Sequence, residues 1–368
     1  MPDSLHEEQK GDTVRIPKFG INRQDAETPA RFAEDVARIE TLGWDCVWLP
    51  DSQLRRRDTY VLLAAAALAT ESIQLGTLIV NPITRHPSVT ASSIATIDEL
   101  APGRVSLGFG AGDTAVRLSG LRPARVAEME DAIVLMRKLL AGEEVEVGAE
   151  RPSFLPFHRS VPIWLTAGGP RTLEMGGRVS DGVFMRVGTH QGTIADTVSK
   201  IRRGAERAGR DPLSIPLGII FHTVLVDDPE DALTMGKAMA AGYYEYSPML
   251  FEPTGLTWDG PDPEILKHDR GVWPDFHHDP DLLKAGRAVD FLSDAHAKAF
   301  SLQGTAEQVI GQLVEVLSGA ARSGIEFEHV VLHPIPNPPS PDDSDDGYTV
   351  RVAREILPAV REQLAALS

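Results

Sequence analysis

Short apolar runs alternate along this chain with amphipathic stretches of helical period. Arg15–Asn22, Trp44–Pro50, Ile73–Val80, Val105–Gly110, Val161–Ala167, Gly182–Val187, Ile215–Val226 and Glu328–His333 read as strands. Between them lie helical patterns. Thr28-Pro29 opens one that runs to Leu42, with Phe32, Val36 and Ile39 on a single face. Others cover Thr59–Thr70, His86 to Gly103, Ala124–Ala141, the stretch opened by Gly168-Gly169-Pro170-Arg171, Ile194–Ala208, Pro229–Ala241, Thr305–Arg322 and Thr349–Leu364. Met129, Ile133, Met136 and Leu140 recur at helical spacing and read as core. Apolar strands joined through helices form right-handed βαβ units, so the strands run parallel.

This alternation predicts a single (β/α)8 TIM barrel over residues 14–368, preceded by a polar, flexible segment at 1–13. Tyr243 to Phe300 is rich in Pro, Asp, His and aromatics with weak periodicity, and predicts an insertion between strands seven and eight, bounded at 243–303. Two doubly wound α/β domains are the competing architecture. Against it, no GxGxxG opens a helix near the start, and Gly108-Phe109-Gly110-Ala111-Gly112 has only part of that spacing.

A parallel barrel places its chemistry just past the strand ends. Those positions are Asn22, Asp51, Asn81, Asp113, Gly168, Gly169, Arg186, Gly188, His222 and His333. The turn Gly168-Gly169-Pro170-Arg171 is the best anion candidate, since free N–H groups at a helix start favour negative charge. Its competing reading is a plain strand-to-helix turn. Asp51 and Asp113 are the acid/base candidates; each has a competing reading as a helix N-cap, and Asp51 also as a partner of Arg55 to Arg57. Arg85-His86-Pro87 could bind an anion or set a proton; the favoured reading is a helix start with a capping His and a solvated Arg. His222 and His333 are either ligand contacts or hydrogen-bonded core. No metal site stands out: His277, His278 and Asp279 adjoin in the irregular segment, without H-x3-H or CxxC spacing. GxSxG and P-loop motifs are missing too, so hydrolase and nucleoside triphosphatase readings lack support.

Composition narrows the partners. A net charge of −17 opposes binding to nucleic acid or anionic membranes. The single cysteine, Cys46, sits in an apolar strand pattern and suits a reducing cytoplasm as a small core residue. The start of the chain lacks the apolar core of a signal peptide, and Leu62–Ala69 is too short to span a bilayer. A cytoplasmic protein acting on a small-molecule substrate is the expectation.

The stretch Leu75–Thr114 resembles the luciferase-like superfamily of barrel oxidoreductases, and within it the branch dependent on the deazaflavin coenzyme F420. The resemblance rests on Leu75-Gly76-Thr77, Asn81-Pro82, Thr84-Arg85-His86-Pro87, Asp98-Glu99-Leu100, Gly103-Arg104 and Gly108 to Asp113. Val47-Trp48-Leu49-Pro50-Asp51, Ala167 to Arg171 and Asp181-Gly182-Val183 extend it. It implies hydride transfer between coenzyme F420 and an alcohol or ketone, imine or activated alkene. An FMN-dependent monooxygenase is the alternative, and a deazaflavin-binding protein without turnover the second. A non-prolyl cis peptide is implied at Leu78-Ile79, behind the ring. The implied cofactor-binding set is Asp51, Leu78, Ile79, Val80, Asn81, Gly110, Ala167, Gly168, Gly169, Arg186, Val187 and Gly188; Asp113 and Asp51 are the implied catalytic residues. Homodimers or larger homo-oligomers are common in the family. Two departures are visible: Ser52 stands where a His often follows the strand-two aspartate, and Leu78 where the bulge often carries Gly.

Overall fold

The computed structural model describes residues 15–23, 28–112, 114–336 and 347–367. The predicted flexible segment at 1–13 and the candidate Asp113 lie outside the described residues. Eight parallel strands close a barrel: β1 (Lys18–Asn22), β2 (Cys46–Leu49), β3 (Gln74–Thr77), β4 (Val105–Phe109), β5 (Ile163–Ala167), β6 (Gly182–Met185), β7 (Leu217–Leu225) and, after a short β8 (Leu302–Gly304), β9 (His329–Ile335). Each of β1 to β6 pairs with its successor. β6 meets β7 at Val183↔Leu217, β7 meets β9 at Gly218↔His329, and β9 closes onto β1 at Lys18↔His329. The expected (β/α)8 architecture is therefore present. β8 is an addition to it, pairing with the far end of β7 at Thr223↔Leu302.

An aromatic plug fills the barrel interior. Trp48, Trp164, Phe184 and His329 stack edge-on or tilted at centroid distances of 4.8–5.9 Å. These rings fit because neighbouring strands carry glycine beside them. A Cβ at Gly20 would stand 2.6 Å from Trp48 Nε1, and Gly76, Gly182 and Gly218 lie equally close under Trp48, Trp164 and Phe184. Cys46 is buried in this layer, as expected of a small core residue. The plug closes the barrel interior beneath the C-terminal mouth.

The insertion differs from its expectation. The preceding helix, Pro229–Tyr246, runs past the predicted end at Ala241. Two 3₁₀ turns follow, then helices Pro263–Arg270, Leu282–Ala288 and Asp294–Phe300. The Asp and Pro residues that resemble loop composition sit at helix starts: Asp262 and Asp281 hold N-cap positions, as does Ser293, and Pro263 begins its helix. A short helix at Thr114–Leu118 was not anticipated, and the last helical stretch, from Tyr348 to Ala366, contains a π segment at Val352–Ile356. No helix among the described residues is long and apolar enough to cross a membrane.

Candidate active site

Strand alternation identifies the floor of the mouth. Gly20, Trp164, Phe184, Ile220 and Val331 face the barrel axis, so residues two further on face the same way, above the plug. They are Asn22, Thr166, Arg186, His222 and His333. Asn22 Oδ1, Thr166 Oγ1 and His222 Nδ1 are buried without a hydrogen-bond partner in the protein, and so is Ser52 Oγ nearby in sequence. Buried polar groups are normally paired, and leaving one unpaired costs about 1–3 kcal/mol. This many orphans at one mouth mark a site built for a ligand. His222 and His333 are thus brought together in that mouth, with ring centroids 5.2 Å apart, and Arg186 lies over the Tyr243 ring at 5.2 Å. Burial pushes His222 well below its ordinary value, and the positive charge of Arg186 adds to this, so its imidazole is neutral.

Past β3 the chain stays bonded to both neighbours. Leu78 N–H donates to Leu49 O (2.6 Å), Val80 N–H to Gly108 O (2.9 Å), Gly110 N–H to Val80 O (3.0 Å) and Asp51 N–H to Ile79 O (3.3 Å). The Leu78-Ile79 peptide is cis, at the position the resemblance implied. Leu78 and Val80 are buried, while Ile79 is half-buried. Asn81 is used structurally: its Oδ1 accepts from the N–H groups of Ile83 and Thr84, turning the chain toward the next helix.

Asp51 is buried beside this bulge, and burial raises its carboxyl above the ordinary range, partly offset by Arg85. The cap proposed as its competing role belongs to Asp58, whose side chain accepts from Tyr60 and Val61 N–H. His86 caps its own helix as expected. Arg85 is not simply solvated: it holds Asp58 at 2.7 Å and lies 4.7 Å over the Tyr60 ring. Because the folded-state value of Asp51 is raised, ionising it opposes folding. That penalty is absent below the unfolded carboxylate value of about 3.9 and grows as pH rises through the raised value. Asp51→Asn is therefore expected to raise the urea midpoint at pH 7.5 and to leave it unchanged at pH 3.5; equal midpoints at both would show that Arg85 fully compensates the burial.

The two glycine positions of the candidate phosphate side differ. At Gly168 and Gly169 an added Cβ meets at most Arg186 O at 4.0 Å, so this turn is open. Gly169 is the N-cap of Pro170–Val179 without a side-chain cap, which leaves first-turn N–H groups available. Ala167 and Val187 are buried. Gly188 has φ +79°, and a Cβ there would run into Ala299 O and Phe300 of the insertion. Thr189 N–H donates to Ala299 O (2.9 Å) in the same contact.

Among relatives, a 5,10-methylenetetrahydromethanopterin reductase of Methanolobus tindarius is 31% identical over 81% of this chain and 90% of its own length. An F420-dependent glucose-6-phosphate dehydrogenase of Intrasporangium calvum is 26% identical over 90% of this chain and 95% of its own. Two solved structures share the fold. The coenzyme F420 dependent tetrahydromethanopterin reductase from Methanopyrus kandleri has a TM-score of 0.68 at 22% identity, covering 94% of this chain and 99% of that one. An F420-dependent secondary alcohol dehydrogenase with an F420-acetone adduct has 0.66 at 20%, covering 94% and 100%. The Luciferase-like monooxygenase profile matches residues 14–323. With most of its length matched, and with relatives that are oxidoreductases, this chain belongs to the luciferase-like monooxygenase family of barrel enzymes.

Proposed function

We propose that the protein binds coenzyme F420 in the barrel mouth and moves hydride between it and a small organic substrate. The reading is carried by the open Gly168-Gly169 turn, where nothing in the protein occupies the space beside an uncapped helix start. It is supported by relatives whose names state F420 dependence. The residues present fit a planar ring with a charged tail: unpaired Asn22 Oδ1, Thr166 Oγ1 and His222 Nδ1 offer polar contacts, and the glycine turn permits close backbone approach.

When bound, the deazaflavin carries the hydride at its C5. The protein's own task is to hold and position. The helix start at Pro170, with exposed Arg171, favours an anion by its N–H groups and charge. The Leu78–Asn81 bulge forms one wall. His222, neutral and with Nδ1 unpaired, is placed to take a proton from a substrate hydroxyl, or to return one. Asp51, with its raised carboxyl, is the second proton-transfer group, and Asp113 remains part of the proposed pair.

The test is a parallel fluorescence titration of apo-protein with coenzyme F420 and with FMN. Micromolar or tighter binding of the deazaflavin alone is expected. Preference for FMN would replace this reading with a flavin monooxygenase and make oxygen consumption the next assay.

A further inference from the structure

The insertion holds a cluster that the reading above does not use. Asp275, His277 and His278 each offer one ligand atom, and these atoms lie within 4.8 Å of one another. His278 Nδ1 stands 2.8 Å from Asp275 Oδ2, and His277 Nδ1 stands 3.1 Å from Asp275 Oδ1. Around a zinc ion bound at about 2.0–2.2 Å, tetrahedral donors are separated by roughly 3.3–3.6 Å, so small ring shifts would make room for one.

The local chain holds this arrangement. Asp275 Oδ1 accepts from the backbone N–H groups of His277 (3.2 Å) and His278 (2.9 Å), which turns both imidazoles onto one carboxylate. Tyr246 donates its hydroxyl to Asp275 Oδ2 at 2.8 Å, the kind of outer partner that orients a ligating carboxylate. The His277 ring is seated against Gly242, where any side chain would run into it.

A second observation points to a missing ligand. His277 is 5% exposed, yet neither ring nitrogen has a hydrogen-bond partner, although Nδ1 stands 3.1 Å from Asp275 Oδ1.

We propose that Asp275, His277 and His278 form a binding site for one divalent transition-metal ion of the zinc or cobalt type. Two imidazoles and a carboxylate are the donor set such ions prefer. The site lies on the His222 side of the insertion, with the His222 and His277 rings 5.7 Å apart. An ion there would tie the insertion together beside the barrel mouth. The proposal does not depend on coenzyme F420.

The experiment uses the full chain, free of any purification tag and dialysed against a chelator. Cobalt(II) is added with visible absorption as the readout, and zinc(II) by calorimetry. One ion per chain at micromolar affinity or better is expected. His278→Gln, at a partly exposed position, should fold and weaken binding at least about tenfold, and Asp275→Asn should do the same. His268→Gln, an exposed histidine of the same insertion, should change nothing. Failure of the wild-type chain to bind either ion would overturn the proposal. Wild-type affinity in His278→Gln would also do so, and would mean that Asp275 merely bridges two imidazoles.

Discussion

Gly169→Val is expected to fold normally and to lose coenzyme F420. The backbone at Gly169 has φ −80° and ψ 148°, an extended conformation that valine adopts readily. Its Cβ would meet nothing within 4 Å, so no neighbour has to move. The remaining folding cost is a poorer N-cap residue, about 1 kcal/mol or less. The two new methyl groups project into the space that a bound anion needs if it is to reach the N–H groups of the helix start. Losing that approach should weaken F420 about 100-fold, equivalent to ~2.8 kcal/mol. Fluorescence titration and urea unfolding, run on the same preparation, separate the two quantities. A folded variant with unchanged affinity would remove this turn from the site.

The barrel was legible because its signal is repetitive: eight apolar runs separated by helical periods admit few topologies. The mouth was legible from the same frame, since strand ends in a parallel barrel share one edge. Asn22, Arg186, His222 and His333 follow from that shared edge alone. What the chain could not announce was which of them are satisfied. Asn81 looks like a ligand group, yet its oxygen is consumed by a local turn; Asn22 Oδ1 and His222 Nδ1 are left over. That difference depends on partners distant in sequence. The helices of the insertion escape the sequence pattern for a related reason. Its helices are seven or eight residues long, too short to display a period, and their caps are the residues that otherwise mark loops. The approach of Asp275, rather than Asp279, to the two histidines follows from that unread geometry. Asp279 instead accepts from Trp273 N–H and pairs with Lys284.

Gly188→Ala is expected to do the reverse of Gly169→Val: to cost stability first and cofactor only as a consequence. The two glycines follow adjacent strands and carry the same implied role, but their surroundings differ. Gly188 has φ +79°, where an L-residue costs about 1–2 kcal/mol. Its new methyl would also press on the Ala299 carbonyl and the Phe300 backbone, which form the end of helix Asp294–Phe300. Overpacking of this kind costs typically 1–3 kcal/mol, so a total near 3 kcal/mol is expected. The same stretch carries the Thr189 contacts, from its N–H to Ala299 O and from its hydroxyl to Lys298 O, so the loss falls on the joint between β6 and the insertion. Urea unfolding should show the midpoint lowered with the slope kept, and limited proteolysis should cut first near that helix. If Gly188→Ala were as stable as the wild type and bound F420 less well, Gly188 would be a cofactor contact and not a packing position. The expected pattern assigns the two glycines different physical tasks: one leaves room for a ligand, the other lets the insertion close against the barrel.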